Sequence, residues 1–198
     1  MEDKYHFDKL YKESKELLWK GAIHKKYLDI LIDKLKKGKI LDLGAGEGGD
    51  AIYLAKKGFE VKAVDISGEV LRKVAELAKK EKVAVETKIA DLENYKIMQN
   101  YDGIISFAAI HFLTKQKIDT LIKNMKEKTN KNGINIIMIF REGDSSQGKF
   151  KMYYFKDNEL KKYYSDWNIL FYKEYEKWDK SHGEPHIHKI ATIIAEKN

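Results

Sequence analysis

The sequence predicts an α/β fold: a doubly wound, mostly parallel seven-stranded sheet with a C-terminal antiparallel hairpin and N-terminal helices. Three observations carry this. Five apolar or alternating runs, near Ile40, Phe59, Val83, Tyr101 and Ile134, are interleaved with stretches of helical spacing, and strands separated by helices pair in parallel through crossovers. The last two extended segments, about Trp167 to Glu174 and Ile187 to Ala195, have no helical stretch between them and form a hairpin. Finally, Lys39 to Asp50 passes from an apolar run through glycines into a helical run, the strand–turn–helix unit around which such sheets are built.

Taken in order, Phe7, Leu10, Tyr11, Leu17 and Leu18, and then Ile23, Tyr27, Ile30, Leu31 and Leu35, recur at helical spacing. Gly21 separates the two helices, and Gly38 stands where a C-cap would close the second. Residues 1–37 are thus expected to form a helical cap on a single domain spanning 1–198. Ile40 to Leu43 is the first strand, and Ala51 to Ala55 opens the next helix. Phe59 to Asp65 alternates as a second strand, after which Ser67 suits an N-cap for a helix burying Val70, Leu71, Val74, Leu77 and Ala78. Val83 to Ile89 and Tyr101 to Phe107 follow as strands, and Thr114 begins a helix carrying Ile118, Leu121, Ile122 and Met125. Asn132-Gly133 turns into Ile134 to Phe140, which is apolar throughout and therefore central. Lys156 to Tyr164 is helical with Asp157 at its start, and Glu176 to His186 is the hairpin loop.

Composition narrows the function classes. A chain of 198 residues with 43% hydrophobic and 12% aromatic residues can bury a core. Cysteine is absent, which excludes disulfides, thiolate metal sites and a cysteine nucleophile. The charged start, Met1 to His6, lacks a signal-peptide core, and no run approaches the roughly 18 apolar residues of a membrane span. A cytoplasmic protein with no membrane partner is expected. The net charge of +7 is carried almost wholly by lysine, with Arg72 and Arg141 the only arginines. Arginine is the preferred residue for phosphate and base contacts, so nucleic acid is not the expected partner.

The glycine turn satisfies two spacings. Gly44, Gly46 and Gly49 match the G-x-G-x-x-G of dinucleotide sites, and Gly44, Gly46 and Gly48 match the D-x-G-x-G of S-adenosylmethionine (SAM) sites. Asp42 bears on the choice: a carboxylate there repels a pyrophosphate dianion and attracts the sulfonium and ammonium of SAM. Asp65 closes the second strand about twenty residues on, where an acid takes ribose hydroxyls. Asp91 follows the third strand, as a loop anchor or as a partner for an adenine amino group. Ser106 and Arg141 end the fourth and fifth strands. All of these lie at strand carboxyl ends, where Rossmann-like sheets bind ligands.

With these residues in view, the chain resembles the class I SAM-dependent methyltransferases from about Lys34 to the C-terminus. The resemblance rests on Asp42-Leu43-Gly44-Ala45-Gly46-Glu47-Gly48, Asp65, Ala90-Asp91-Leu92, the Tyr101-Asp102 strand and the closing hairpin. Within that superfamily it looks most like the tellurite-resistance, TehB-like branch, through Gly49 to Gly58, Phe155 to Leu160 with Tyr163-Tyr164, and Ile190 to Lys197. The resemblance implies SAM as cofactor. Asp42, Gly44, Ala45 and Gly46 would hold its methionine part, Asp65 with the adjoining Ile66 its ribose, and Asp91 and Leu92 its adenine. Ser106 to Ala109 would lie beside the methyl. It also implies a small-molecule or oxyanion acceptor such as tellurite or selenite. Three positions depart from the branch: Ala45 replaces a frequent cysteine, Asp50 a frequent arginine or asparagine, and Lys177-Trp178 stands near where a His-Arg pair is usual.

Catalytic candidates come from the closing loop, His182-Gly183-Glu184-Pro185-His186-Ile187-His188, and from Arg141. His186 and His188, two apart on an extended strand, point to one face. Packing, substrate contact or general base, and a metal site with His182 as third ligand are all open, although spacing fixes no carboxylate partner. His111 suits packing of the turn after the fourth strand. Tyr5, Trp19 and Trp178 could form an aromatic lid, attractive to a sulfonium. The competing functions are an RNA or protein methyltransferase, a dinucleotide-dependent reductase, and a non-catalytic SAM-binding regulator. No pattern names the acceptor atom or an oligomeric state.

Overall fold

The structure, a computed structural model, describes residues 23–180 and 184–198. Helix α1 (Lys25–Leu35) precedes strand β1 (Lys39–Leu43), α2 (Gly49–Lys56), β2 (Glu60–Asp65), α3 (Gly68–Lys80) and β3 (Val85–Ile89). There follow β4 (Tyr101–Phe107), a short 3-10 turn at Ile110–Phe112, α4 (Lys115–Lys128), β5 (Thr129–Phe140), α5 (Glu159–Tyr163), β6 (Asn168–Asp179) and β7 (His186–Glu196). The seven strands form one sheet in the order β3-β2-β1-β4-β5-β7-β6. The first five run parallel, and β7 lies antiparallel between β5 and β6. The predicted doubly wound sheet and closing hairpin are thus both present, and the carboxyl ends of β1 to β5 share one rim.

Period-two alternation sorts the strand residues between two cores. Ile40, Ile105, Ile134 and Ile136 pack under α1, α2 and α3 with Leu28, Leu31, Leu54, Val70 and Val74. Leu41, Leu43, Ile104, Ile137 and Ile139 face the other way, onto Ile118, Leu121, Ile122 and Met125 of α4 and onto Leu160, Tyr164 and Trp167. Both faces of the central strands are covered, which explains their unbroken apolar runs.

The boundaries differ from expectation where the local signal is polar. Helix α1 closes on Lys36 in a left-handed conformation (φ 62°), whose N–H donates to the Ile32 carbonyl. Gly38 is needed instead where the Asp102 carboxylate would come within 2.5 Å of a Cβ. Strand β3 starts at Val85 and lies at one end of the sheet, with Glu86 to Ile89 exposed. Strand β5 starts already at Thr129, with the expected turn reduced to a left-handed Asn132 (φ 61°) inside it. Helix α5 starts late, behind Asn158, and Asp157 pairs with Arg141. Ser67 does cap α3, accepting from the Val70 N–H at 3.3 Å, whereas Thr114 holds the N-cap position of α4 without a side-chain bond. The hairpin is longer than predicted: its strands run to Asp179 and from His186, and Asp179 pairs with His186 in register. The earlier of the two expected N-terminal helices lies outside the described residues. No helix among the described residues is long and apolar enough to cross a membrane.

Two buried polar groups lock the layers together. Asn135 is fully buried, and its amide donates to the Tyr164 hydroxyl at 3.1 Å, joining β5 to the end of α5. His111, in the turn after β4, stacks on Phe140 (4.5 Å between centroids) and accepts from the Phe140 N–H through Nδ1. Burial pushes its imidazole down to about 3, so it is neutral in the fold, as a packing residue should be.

Tyr164→Phe should cost about 1–2 kcal/mol in urea unfolding, the loss of one buried hydrogen bond that leaves the Asn135 amide short of an acceptor. For His111 the folded value lies below the unfolded one, so the unfolded chain binds the proton first. Stability is therefore full above about pH 6.5 and is lost as the pH falls toward 3. Between pH 7 and pH 5 this group should contribute a loss of about 2 kcal/mol, and His111→Gln should remove that part of the pH slope.

Candidate functional site

Strand β1 ends at Leu43, and the next residues turn sharply before α2. The Gly44 and Ala45 N–H groups donate to the Val64 carbonyl at 2.8 and 3.1 Å, which fastens the turn to β2. Gly44, Gly46 and Gly48 all have positive φ, at 73°, 51° and 74°, whereas Gly49 simply begins the helix. The D-x-G-x-G spacing is therefore the one that shapes the turn. At Gly44 the constraint is doubled: a Cβ there would lie 2.2 Å from the Ala109 Cβ, with Leu92 Cδ1 also close at 3.9 Å. The loops after β1, β3 and β4 meet at this point.

Three carboxylates surround the turn. Asp42 is 2% exposed, and its Oδ2 has no hydrogen-bond partner among the described residues. Burial, and then the charges of Asp50 and Asp65, push its carboxyl well above the usual carboxylate range. Asp65, at the end of β2, accepts from the Gly46 N–H at 2.9 Å and the Ser67 N–H at 3.0 Å, and so fixes the turn to α3. Asp50 accepts the His24 N–H and faces its ring Nδ1, both at 2.7 Å, and the His24 ring stacks 4.0 Å from Phe107. Asp50, noted in the sequence only as a departure, thus ties the entry of α1 to the glycine turn. Only the pairing across 26 residues reveals that role, and no local pattern signals it.

The other expected cofactor residues gather around the same turn. Ile66 is half-buried beside Asp65. Asp91 holds its loop by accepting the Glu93 N–H at 3.0 Å, and Leu92 approaches Gly44. Ser106 is completely buried, and its hydroxyl donates to the Leu43 carbonyl at 2.8 Å, so it acts on the strand end rather than facing the rim. Ala108, just beyond, has φ 53°, a conformation that costs an L-residue about 1–2 kcal/mol. That strain was invisible in the sequence and sits where the turn after β4 presses on Gly44.

Two groups of catalytic candidates lie farther along the rim. The Arg141 guanidinium is engaged by Asp157 and by Glu174, the latter at 3.1 Å, and braces β5 against β6. His188 stacks on Phe140 at 4.3 Å and turns Nδ1 to the buried Asp144 carboxylate at 3.1 Å. Burial works to raise the Asp144 carboxyl, but hydrogen bonds from His188, Ser146 and Lys189 outweigh it and hold it at about 2. His186 lies at right angles to His188, with Nε2 atoms 3.0 Å apart. Trp178 is 54% exposed, while Tyr5, Trp19 and His182 lie outside the described residues. Beside Phe107's strand end, a cavity of about 340 Å³ is lined by His24, Lys26, Tyr27, Met138, Tyr175 and Lys177, among others.

The sequence matches the family described as Tellurite resistance protein TehB over residues 4–187. It is 35% identical over 164 residues to the probable S-adenosyl-L-methionine-dependent methyltransferase TehB of Haemophilus influenzae, covering 80% of this chain and 57% of that protein. Hemagglutinin 1 of Eikenella corrodens is 30% identical over 165 residues, covering 80% of this chain and 54% of that protein. The chain thus spans little more than half the length of these relatives. The crystal structure of Haemophilus influenzae TehB superposes with a TM-score of 0.81 at 31% identity, over 99% of this chain and 67% of that one. A coclaurine N-methyltransferase bound to N-methylheliamine and SAH, at 13% identity and a TM-score of 0.66 over 86% of this chain and 71% of that one, shares the fold alone. With the glycine turn and the sheet order that precede it, this places the chain in the TehB family.

Proposed function

We propose that this chain transfers a methyl group from SAM to a small molecule or a metalloid oxyanion of the tellurite or selenite kind. The observation that carries the proposal is the buried Asp42 carboxylate, with an oxygen that no described residue satisfies, in a turn that also gathers Asp50 and Asp65. Such a turn suits a ligand bearing a sulfonium and an ammonium, and opposes a dinucleotide's pyrophosphate. The residues therefore fit SAM: Asp42 and Gly44 to Gly46 for the methionine part, Asp65 and Ile66 for the ribose, Asp91 and Leu92 for the adenine.

SAM when bound supplies an electrophilic methyl on a good leaving group. The protein's part is to hold the acceptor in line and to exclude water. The turn from Phe107 to Ala109, with Ala108 at φ 53° and Ala109 against Gly44, would serve the first task. An acceptor that presents a lone pair needs no base, so His186 and His188 are assigned no proton transfer. The cavity lined by His24, Tyr27 and Met138 suits a small acceptor, and Lys26 and Lys177 on its wall would attract an anion. Both arginines already face carboxylates, Arg72 on Glu69 and Glu76 and Arg141 on Asp157 and Glu174, which counts against an RNA acceptor.

SAM and S-adenosylhomocysteine should each raise the melting temperature, by the equivalent of about 2.7 kcal/mol at a hundred times the dissociation constant, and NADH should not. Gly44→Ala should abolish that shift, because the new methyl meets Ala109. Asp42→Asn should show opposite signs in two assays: a higher melting temperature without ligand, since an unfavourably buried carboxyl is replaced by a neutral amide, and SAM affinity weaker by at least about tenfold. Release of S-adenosylhomocysteine with selenite or tellurite present, and not otherwise, would identify the oxyanion class; turnover only with organic acceptors would discard it.

A further inference from the structure

We infer that Asp179, His186 and His188 form a binding site for a borderline divalent transition-metal ion, Zn²⁺ being the first candidate. The inference goes beyond the methyl-transfer reading and uses none of the residues that would hold SAM.

The argument begins with the protons on the two rings. His188 Nδ1 faces the Asp144 carboxylate at 3.1 and 3.2 Å, and that carboxylate already accepts N–H bonds from Ser146 at 2.9 Å and Lys189 at 2.8 Å. It acts as an acceptor, so His188 carries its proton on Nδ1. His186 Nδ1 lies 2.7 Å from the Glu184 carbonyl oxygen. A carbonyl only accepts, so His186 also carries its proton on Nδ1. In the neutral rings both Nε2 atoms are then lone-pair donors, and the fold holds them 3.0 Å apart. Lone pairs do not attract one another. A cation between them would be bound by both, and two imidazole nitrogens bound at about 2.0–2.1 Å to one zinc ion stand roughly 3 to 3.4 Å apart.

The third donor comes from across the hairpin. The Asp179 carboxylate Oδ2 is 3.8 Å from His188 Nε2, and the donor atoms of all three residues lie within 4.8 Å of one another. Register explains why: Asp179 pairs with His186 on the adjoining strand, so the fold delivers it wherever the hairpin forms. Two imidazoles and a carboxylate are a zinc-type donor set. The buried Asp144 behind His188 completes a carboxylate–histidine–metal relay, which fixes the tautomer and strengthens the donor. An ion here would clamp the end of the β6–β7 hairpin to the loop after β5, through His188 and Asp144. Three protein ligands leave at least one position for water or an anion.

The test uses the full chain, treated with EDTA and dialysed. Titration with Co²⁺ should give the visible spectrum of a low-symmetry nitrogen–oxygen site saturating at one ion per chain. Zn²⁺ should displace it, and Mg²⁺ should not. Zn²⁺ should also raise the melting temperature of the wild type. Asp179→Asn and His188→Ala should each weaken Zn²⁺ binding by at least about a hundredfold, and Asp144→Asn by about ten- to a hundredfold, while the SAM-induced melting shift persists as a check on folding. No saturable binding, or equal binding in folded Asp179→Asn and His188→Ala, would overturn the inference and assign the pair a shared proton instead. Because the metal titration and the SAM shift are read separately, either proposal can fail without the other.

Discussion

The site is organised by an electrostatic cost. Asp42 sits in a central strand between β2 and β4, paired with Ala63 on one side and Ile105 on the other, where water does not reach. A carboxylate in that position is unfavourable by burial, and Asp50 and Asp65 make it more so. Sheet, turn and neighbouring loops leave its Oδ2 without a hydrogen-bond partner among the described residues. The backbone N–H groups of the turn go to the Val64 carbonyl and to Asp65, and the His24 side chain goes to Asp50. Each of those bonds stiffens the surroundings of Asp42 without compensating it. Under the proposed function, the free protein gives up stability at the point where a cationic cofactor restores it.

The parts of this design that were legible in the sequence are those governed by local periodicity. The central strands could be read because burial on both faces leaves them uniformly apolar, and α3 and α4 because their buried residues recur every three or four positions. The glycine turn was legible because glycine adopts its positive φ angles without the strain other residues bear there. Where contacts between distant segments decide, the sequence was silent. The hairpin was predicted short because Glu174 to Asp179 is charged and aromatic, as an edge strand can be when only one side is paired. Asp157 looks like a helix cap, yet it sits opposite Arg141 once β5 and α5 are in place. Nothing near Asp50 announces His24, and nothing near His188 announces Asp144, forty-four residues earlier.

The stacked rings His111, Phe140 and His188 connect the two halves of the rim. His111 belongs to the turn after β4, which presses on the glycine turn through Ala109. His188 belongs to the hairpin and carries the candidate metal donors. Phe140 lies between them at the end of β5. Such a stack conveys position rather than charge, since its rings are packed face to face and His111 is held neutral by burial.

The two ends of the sheet carry a different kind of information. On β3, Glu86, Thr87 and Lys88 are exposed, with Glu86 bonded to Lys62 of the next strand at 2.6 Å. On β6, Lys173, Glu174, Glu176 and Lys177 are charged. Open strand edges invite another chain to add itself as a further strand, and charges placed along them make that addition costly. Glu86 and Lys88 on one edge, and Lys173, Glu174, Glu176 and Lys177 on the other, are charges of that kind. Substitutions that neutralise these edges would be felt as aggregation during expression before any loss of chemistry was noticed.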